Sequence, residues 1–184
     1  MWLEDLANHD KAGGKVIEKT GLLILIAGIA MIMDLRWMRV ENSWILCSMV
    51  SGLLFQLQTH GIYGLLYFFT GAVYPLCVLG VLFYFRMLGA GDIKLFCTLG
   101  SIMGMKTIGK CMAVSFILGA GISLLILIFY GDFRQRIQYF FNYIRDYLST
   151  GEVRPYLQKG MTLENFHFTV PVFMSVLLYA GGVY

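Results

Sequence analysis

The sequence predicts an all-α fold, a polytopic membrane protein with about six transmembrane helices in a single domain spanning residues 1–184, and three observations lead there. Of its 184 residues 58% are hydrophobic and only 14% charged, whereas soluble domains run near half apolar and a quarter charged. The apolar residues are clumped into runs close to bilayer-crossing length, and the chain has room for about five to seven spans of roughly 20 residues. Between the runs lie short polar loops and tight turns. A soluble globular domain is excluded. A net charge of +3 is too small to argue for nucleic acid, and no stretch alternates basic and aromatic residues as a nucleic-acid groove requires.

Residues 1–20, "MWLEDLANHDKAGGKVIEKT", form a mixed-charge polar tail, too long and too acidic for the basic start of a signal peptide. The first apolar run is therefore expected to be retained as a span, beginning at about Val16 or Gly21 and ending at Met33, with Asp34 after it. "DLRWMRVEN" is a short loop, and a second span covers Ser43 to Leu57. "QTHG" is a tight turn. A third span runs from about Ile62 to Phe85, and "RMLGAGD" leads into a shorter fourth, Ile93 to Met105. "MKTIGK" turns into a fifth, Cys111 to Tyr130, and a last span covers Phe168 to Val183.

Before that last span lies a polar segment, 131–167. Phe133, Ile137, Phe140, Ile144 and Tyr147 recur there at helical spacing, with arginines elsewhere around the wheel. Such a helix is suited to lie in the headgroup plane of the cytoplasmic leaflet.

Basic residues are retained on the cytoplasmic side. With "DLRWMRVEN" inside and alternation from there, nine lysines and arginines fall inside, including every arginine, against five outside. The N-terminus is then expected outside, with Asp34 and Asp92 facing the cytoplasm.

Small residues that let helices approach closely also recur: Gly100 and Gly104 in the fourth span, and Ser115, Gly119 and Ser123 in the fifth. Cys47, Cys77, Cys97 and Cys111 sit inside apolar runs without CxxC spacing. They read as small buried hydrophobes, with neither a zinc site nor a disulfide scaffold.

Few ionisable residues lie near the membrane core, and a carboxylate retained in a span invites a functional explanation. Asp34 ends the first span and Asp92 opens the fourth, on the same side. Asp92 alone reads equally as a helix cap. Two carboxylates brought together do not both ionise easily, so one holds a proton that the other lacks. Such a pair can activate water against a peptide carbonyl and protonate the leaving amine, without metal or organic cofactor. In "GAGDIK", Gly89 and Gly91 would permit unusual backbone angles and let a substrate backbone lie close. Lys94 replaces the last glycine of a nucleotide fingerprint and no strand precedes it.

"GAGDIKLFCTLGSIMG" resembles the GxGD segment of the type IV prepilin peptidases, membrane aspartic proteases that remove leader peptides from pilin-like precursors. "DLRWMRVEN" resembles that family's other aspartate motif, and "HFTVPVFMSVLLYAGG" its closing helix, with Pro171 at the proline position. The resemblance covers about Gly21 to Gly182. It implies Asp34 and Asp92 as catalytic residues and a pilin-like precursor as substrate, cut at the cytoplasmic face of the cell membrane. Glu41 stands where the family often has proline. The paired CxxC motifs of the larger methylating members are missing, which points to the short peptidase-only branch.

Lys94, two positions from Asp92, reads as snorkelling to the interface. Asn42 reads as bonding backbone in the loop after Asp34. His60 and His167 read as structural, and Glu41, Glu152 and Glu164 as contacts for a basic leader. A preflagellin-type peptidase is the alternative within the class. A presenilin-like one is disfavoured by "IMDLR" and "VPVF". A proton- or ion-coupled transporter is the alternative outside it, although carboxylates near the midplane of a broken helix would be expected there.

Overall fold

The computed structural model describes residues 2–85, 87–130, 138, 142, 145 and 167–184. Among them the chain is helical without a strand: α1 (Trp2–Trp37), α2 (Asn42–His60), a 3-10 turn (Gly61–Tyr63), α3 (Gly64–Tyr84), α4 (Ala90–Met103), α5 (Met105–Tyr130) and α6 (Thr169–Ala180). Three helical runs are long and apolar enough to cross a membrane: Gly14–Trp37, Asn42–Tyr84 and Met105–Ile126. The second contains both α2 and α3. At 1.5 Å per residue α4 and α6 reach only about 21 and 18 Å, well short of a hydrocarbon core of about 30 Å.

The polar segment 1–20, expected as a tail, is helical from Trp2 and continuous with the first apolar run. The fifth helix likewise begins at Met105 rather than Cys111, taking in the whole of "MKTIGK". One residue, Gly104, separates α4 from α5. Its φ of 84° is a backbone conformation that side chains resist, and its N–H closes α4 onto the Gly100 carbonyl at 2.8 Å. The expected pairing of Gly100 with Gly104 in one stripe is therefore corrected: Gly104 is a corner. Gly100 instead faces Gly71 of α3. A Cβ built on either glycine would fall about 2 Å from the other's carbonyl oxygen, so these two helices touch backbone to backbone.

Helix α4 is the centre of the bundle. Leu95, Phe96, Thr98, Leu99, Ser101 and Ile102 are all fully buried, as expected of a helix enclosed on all sides rather than on one stripe. Helix α1 contributes Leu23, Ile26, Ala27 and Ala30 at helical spacing, and α6 contributes Val172 and Val176. Gly28 lets α1 approach the Phe173 ring of α6, and Gly119 lets α5 approach Phe168 and Pro171. Pro171 is thus a buried packing residue in the first turn of α6, where its missing N–H costs no helix bond. The α5 stripe ends at Gly119, since Ser123 is exposed.

Large apolar residues such as Ile17, Leu46, Leu66, Val81 and Ile117 point outward, the pattern of helices solvated by lipid tails. This overturns the expectation that all four cysteines are buried. Cys111 is buried and Cys97 partly so, but Cys47 and Cys77 lie on the outward faces of the second run.

At the end of α4 near Gly104, three carbonyls lack intrahelical partners, as at any helix C-terminus. Buried Gln56 of α2 donates to Ser101 O (3.0 Å) and Ile102 O (3.1 Å), and Lys19 of α1 donates to Met103 O (3.4 Å). A cavity of about 310 Å³ opens beside them, lined by Lys15, Lys19, Gln56, Thr59 and His60 among others. His60 stacks on Tyr67 with ring centroids 4.7 Å apart. The amphipathic segment, Glu152 and Glu164 lie outside the described residues, save that Gln138, Asn142 and Arg145 are helical and exposed.

Candidate active site

Helices α1 and α4 run antiparallel. Lys19 meets the last turn of α4, so Asp34, about 22 Å further along α1, arrives at α4's first turn, where Asp92 stands. Asp34 lies three residues before the end of α1 at Trp37. Met38 takes a positive φ of 54° and its N–H bonds Asp34 O at 2.8 Å.

Helix α4 begins at its N-cap Gly89, with Asp92 the third helical residue. The cap reading of Asp92 is half right. It is not the N-cap, but from the third position its carboxylate accepts the Gly89 backbone N–H, the back-reaching half of a capping box. Gly89 itself has ordinary extended angles (φ −71°, ψ 144°) and Gly91 is helical, so neither supplies the unusual backbone conformation expected. Gly89 matters through space: a Cβ there would lie 3.1 Å from Asp92 Oδ2, whereas one on Gly91 would meet nothing within 4 Å.

Asp92 lies outside the three long apolar runs. Burial, and then the charge of Asp34, push its carboxyl up to about 6, against the lowering effect of the Gly89 bond. The Asp34 charge thus reaches Asp92, the two residues coming from the ends of different helices. No cluster suited to a metal ion occurs among the described residues.

Lys94, near the start of α4, is exposed. Its Nζ donates to Asn42 Oδ1 at 2.8 Å, tying the first turn of α4 to the start of α2. Asn42 therefore braces the loop after Asp34 through this side chain rather than through loop backbone. Glu41 occupies the N-cap position of α2, exposed and without a side-chain cap bond.

His167, expected to be structural, and Thr169, which the sequence reading passed over, both reach Asp34. Thr169 Oγ1 donates to Asp34 Oδ2 at 2.7 Å and His167 Nδ1 lies 3.1 Å from the same oxygen. Asp34 and His167 are 16% and 20% exposed, so these bonds form largely out of contact with water. The only sequence signal was a pair of polar residues flanking the start of an apolar helix, and nothing local says which helix they face.

A family model for the type IV leader peptidase family matches residues 21–128, more than half of the chain. The chain belongs to that family. Both aspartates, the GAGD segment and the Lys94–Asn42 bond fall inside the leader peptidase match, whereas His167, Thr169 and Pro171 lie beyond it. Neither the comparison with curated proteins nor that with solved structures gives a match. As a leader peptidase family member the chain is a protease-like membrane protein, and its long apolar helices agree with that.

Proposed function

We propose that this chain is a membrane aspartic endopeptidase in which Asp34 and Asp92 remove the short basic leader from a pilin-like precursor. It would work at the cytoplasmic face of the cell membrane, with six helices embedded and the N-terminus outside. The observation that carries the reading is that Asp34, near the end of α1, and Asp92, in the first turn of α4, lie close enough for the Asp34 charge to act on Asp92. Family membership supports the reaction type.

In the mechanism, Asp34, accepting hydrogen bonds on Oδ2, takes a proton from a water as its oxygen attacks the scissile carbonyl. Asp92 supplies its proton to the carbonyl oxygen, giving a tetrahedral diol. On collapse the C–N bond breaks, the proton held by Asp34 goes to the leaving amine, and the diol proton returns to Asp92. No metal enters the balance. The open space over Gly91 gives the substrate backbone a place to lie, and exposed Glu41 is positioned on the adjoining loop to meet a basic leader. A transporter is disfavoured because both carboxylates sit at helix ends on one side of the bundle.

The test is co-expression with pilin-like and preflagellin-like precursors, read by gel shift and N-terminal sequencing. Wild type should cut a pilin-like precursor. Asp34→Asn and Asp92→Asn, each accumulating normally in the membrane, should lose at least about 10³-fold in rate, the scale of removing an acid–base group. Cleavage of preflagellin alone would move the reading to that branch. Wild-type rate in either variant would refute the pair.

A further inference from the structure

The last helix enters the site from outside the family-matched segment, and what it brings there is specific. Thr169 is 1% exposed, and its hydroxyl has Asp34 Oδ2 as its partner at 2.7 Å. His167, two residues earlier, places Nδ1 3.1 Å from the same atom. Two donors on one carboxylate oxygen fix the plane of the carboxyl group and leave Oδ1 as the atom that can face a water.

The contact is also braced from behind. Pro171 and Phe168 pack on α5 at Gly119, and Phe173 packs on α1 at Gly28. Helix α6 therefore cannot slide along α1 without displacing rings that touch helix backbone. A hydrogen bond from a positioned neutral or charged donor to a carboxylate is stronger than one between neutral groups. The clamp is built from one buried hydroxyl in the first turn of α6 and one imidazole just before that helix.

We propose that His167 and Thr169 are positioning residues that clamp the Asp34 carboxylate in its reactive orientation, so that the closing helix completes the catalytic site. The proposal rests on the peptidase reading above for its kinetic consequence, but the clamp itself is a property of the fold. Because both donors act through Asp34 and not on the peptide, their loss should lower kcat and leave KM unchanged.

The experiment pairs kinetics with a readout that needs no substrate. Thr169→Val keeps the shape and removes the hydroxyl, and Thr169→Ser restores the hydroxyl. His167→Ala removes the imidazole, and His167→Asn returns an amide near the place of Nδ1. Thr169→Val and His167→Ala should each lower kcat by about ten- to a hundred-fold, the scale of one hydrogen bond to a charged group. Thr169→Ser should stay within a few-fold of wild type. The Asp34 carboxyl carbon, followed by NMR in aspartate-labelled protein, should shift in Thr169→Val and return in Thr169→Ser.

Wild-type kcat in Thr169→Val, or equal losses in Thr169→Val and Thr169→Ser, would overturn the clamp. If wild type cuts no precursor, the peptidase reading fails on its own and the NMR comparison decides the clamp. An Asp34 signal unmoved by Thr169→Val and His167→Ala would then overturn it.

Discussion

The two ends of the α1–α4 pair both carry polar side chains and put them to different uses. At the Gly104 end, Lys19 and Gln56 are spent on backbone: they satisfy the carbonyls with which α4 ends. At the other end the Asp34 charge acts on Asp92 and, apart from the Gly89 N–H that Asp92 accepts, the hydrogen bonds run between side chains. Thr169 and His167 hold Asp34, and Lys94 holds Asn42. A polar residue in a membrane bundle thus earns a catalytic reading only when its partners leave its chemistry free. Where its donors are exhausted on orphan carbonyls, it is part of the scaffold.

The largest expected effect separates activity from stability. Asp92→Asn should abolish cleavage, yet it should not weaken the fold above pH 6. Burial and the Asp34 charge raise the Asp92 carboxyl from its ordinary 3.8 to about 6. The folded state therefore keeps the proton longer than the unfolded state does. That stabilising contribution is complete below pH 3.8 and is lost as the pH rises through about 6. At pH 7.5 the variant, carrying no buried charge, should exceed wild type by up to about 3 kcal/mol, since each pKa unit is worth about 1.4 kcal/mol. Thermal unfolding in detergent at pH 4 and pH 7.5 would check this, with the gain confined to the higher pH.

Gln56→Leu should invert that pattern. It leaves two buried carbonyls of α4 without a donor, at a cost of about 2–3 kcal/mol, while cleavage per folded molecule stays at the wild-type level. A loss of specific activity larger than the loss of folded protein would mean that the two ends are coupled. A smaller effect is expected at Ser48, whose buried hydroxyl on α2 has no hydrogen-bond partner among the described residues. Ser48→Ala should raise stability by up to about 1 kcal/mol by removing an unmet polar group, with no change in cleavage.

The sequence pointed to the Asp34–Asp92 end of the bundle where chemistry and local pattern coincided. Asp34 and Asp92 stand out because carboxylates are rare at span ends, and GAGDIK marks a helix start. It failed where the answer depended on packing between distant elements. His167 and Thr169 lie 133 and 135 positions from Asp34, and no periodicity reports which helix closes on α1. The α4–α5 boundary was misplaced because "MKTIGK" looks like a polar loop, although one glycine with positive φ suffices to turn the chain. The outward cysteines were misread for a different reason. In lipid, an apolar run does not distinguish a face against protein from a face against acyl chains.

The most direct measurement is the titration of the Asp92 carboxyl itself, followed by NMR in aspartate-labelled protein in nanodiscs, with Asp92→Asn to assign the signal. In wild type the midpoint should lie near 6. In Asp34→Asn, which removes the neighbouring charge but not the burial, it should fall while remaining above 3.8. Identical midpoints in the two proteins would show that the aspartates do not sense each other, and a catalytic pair would be ruled out.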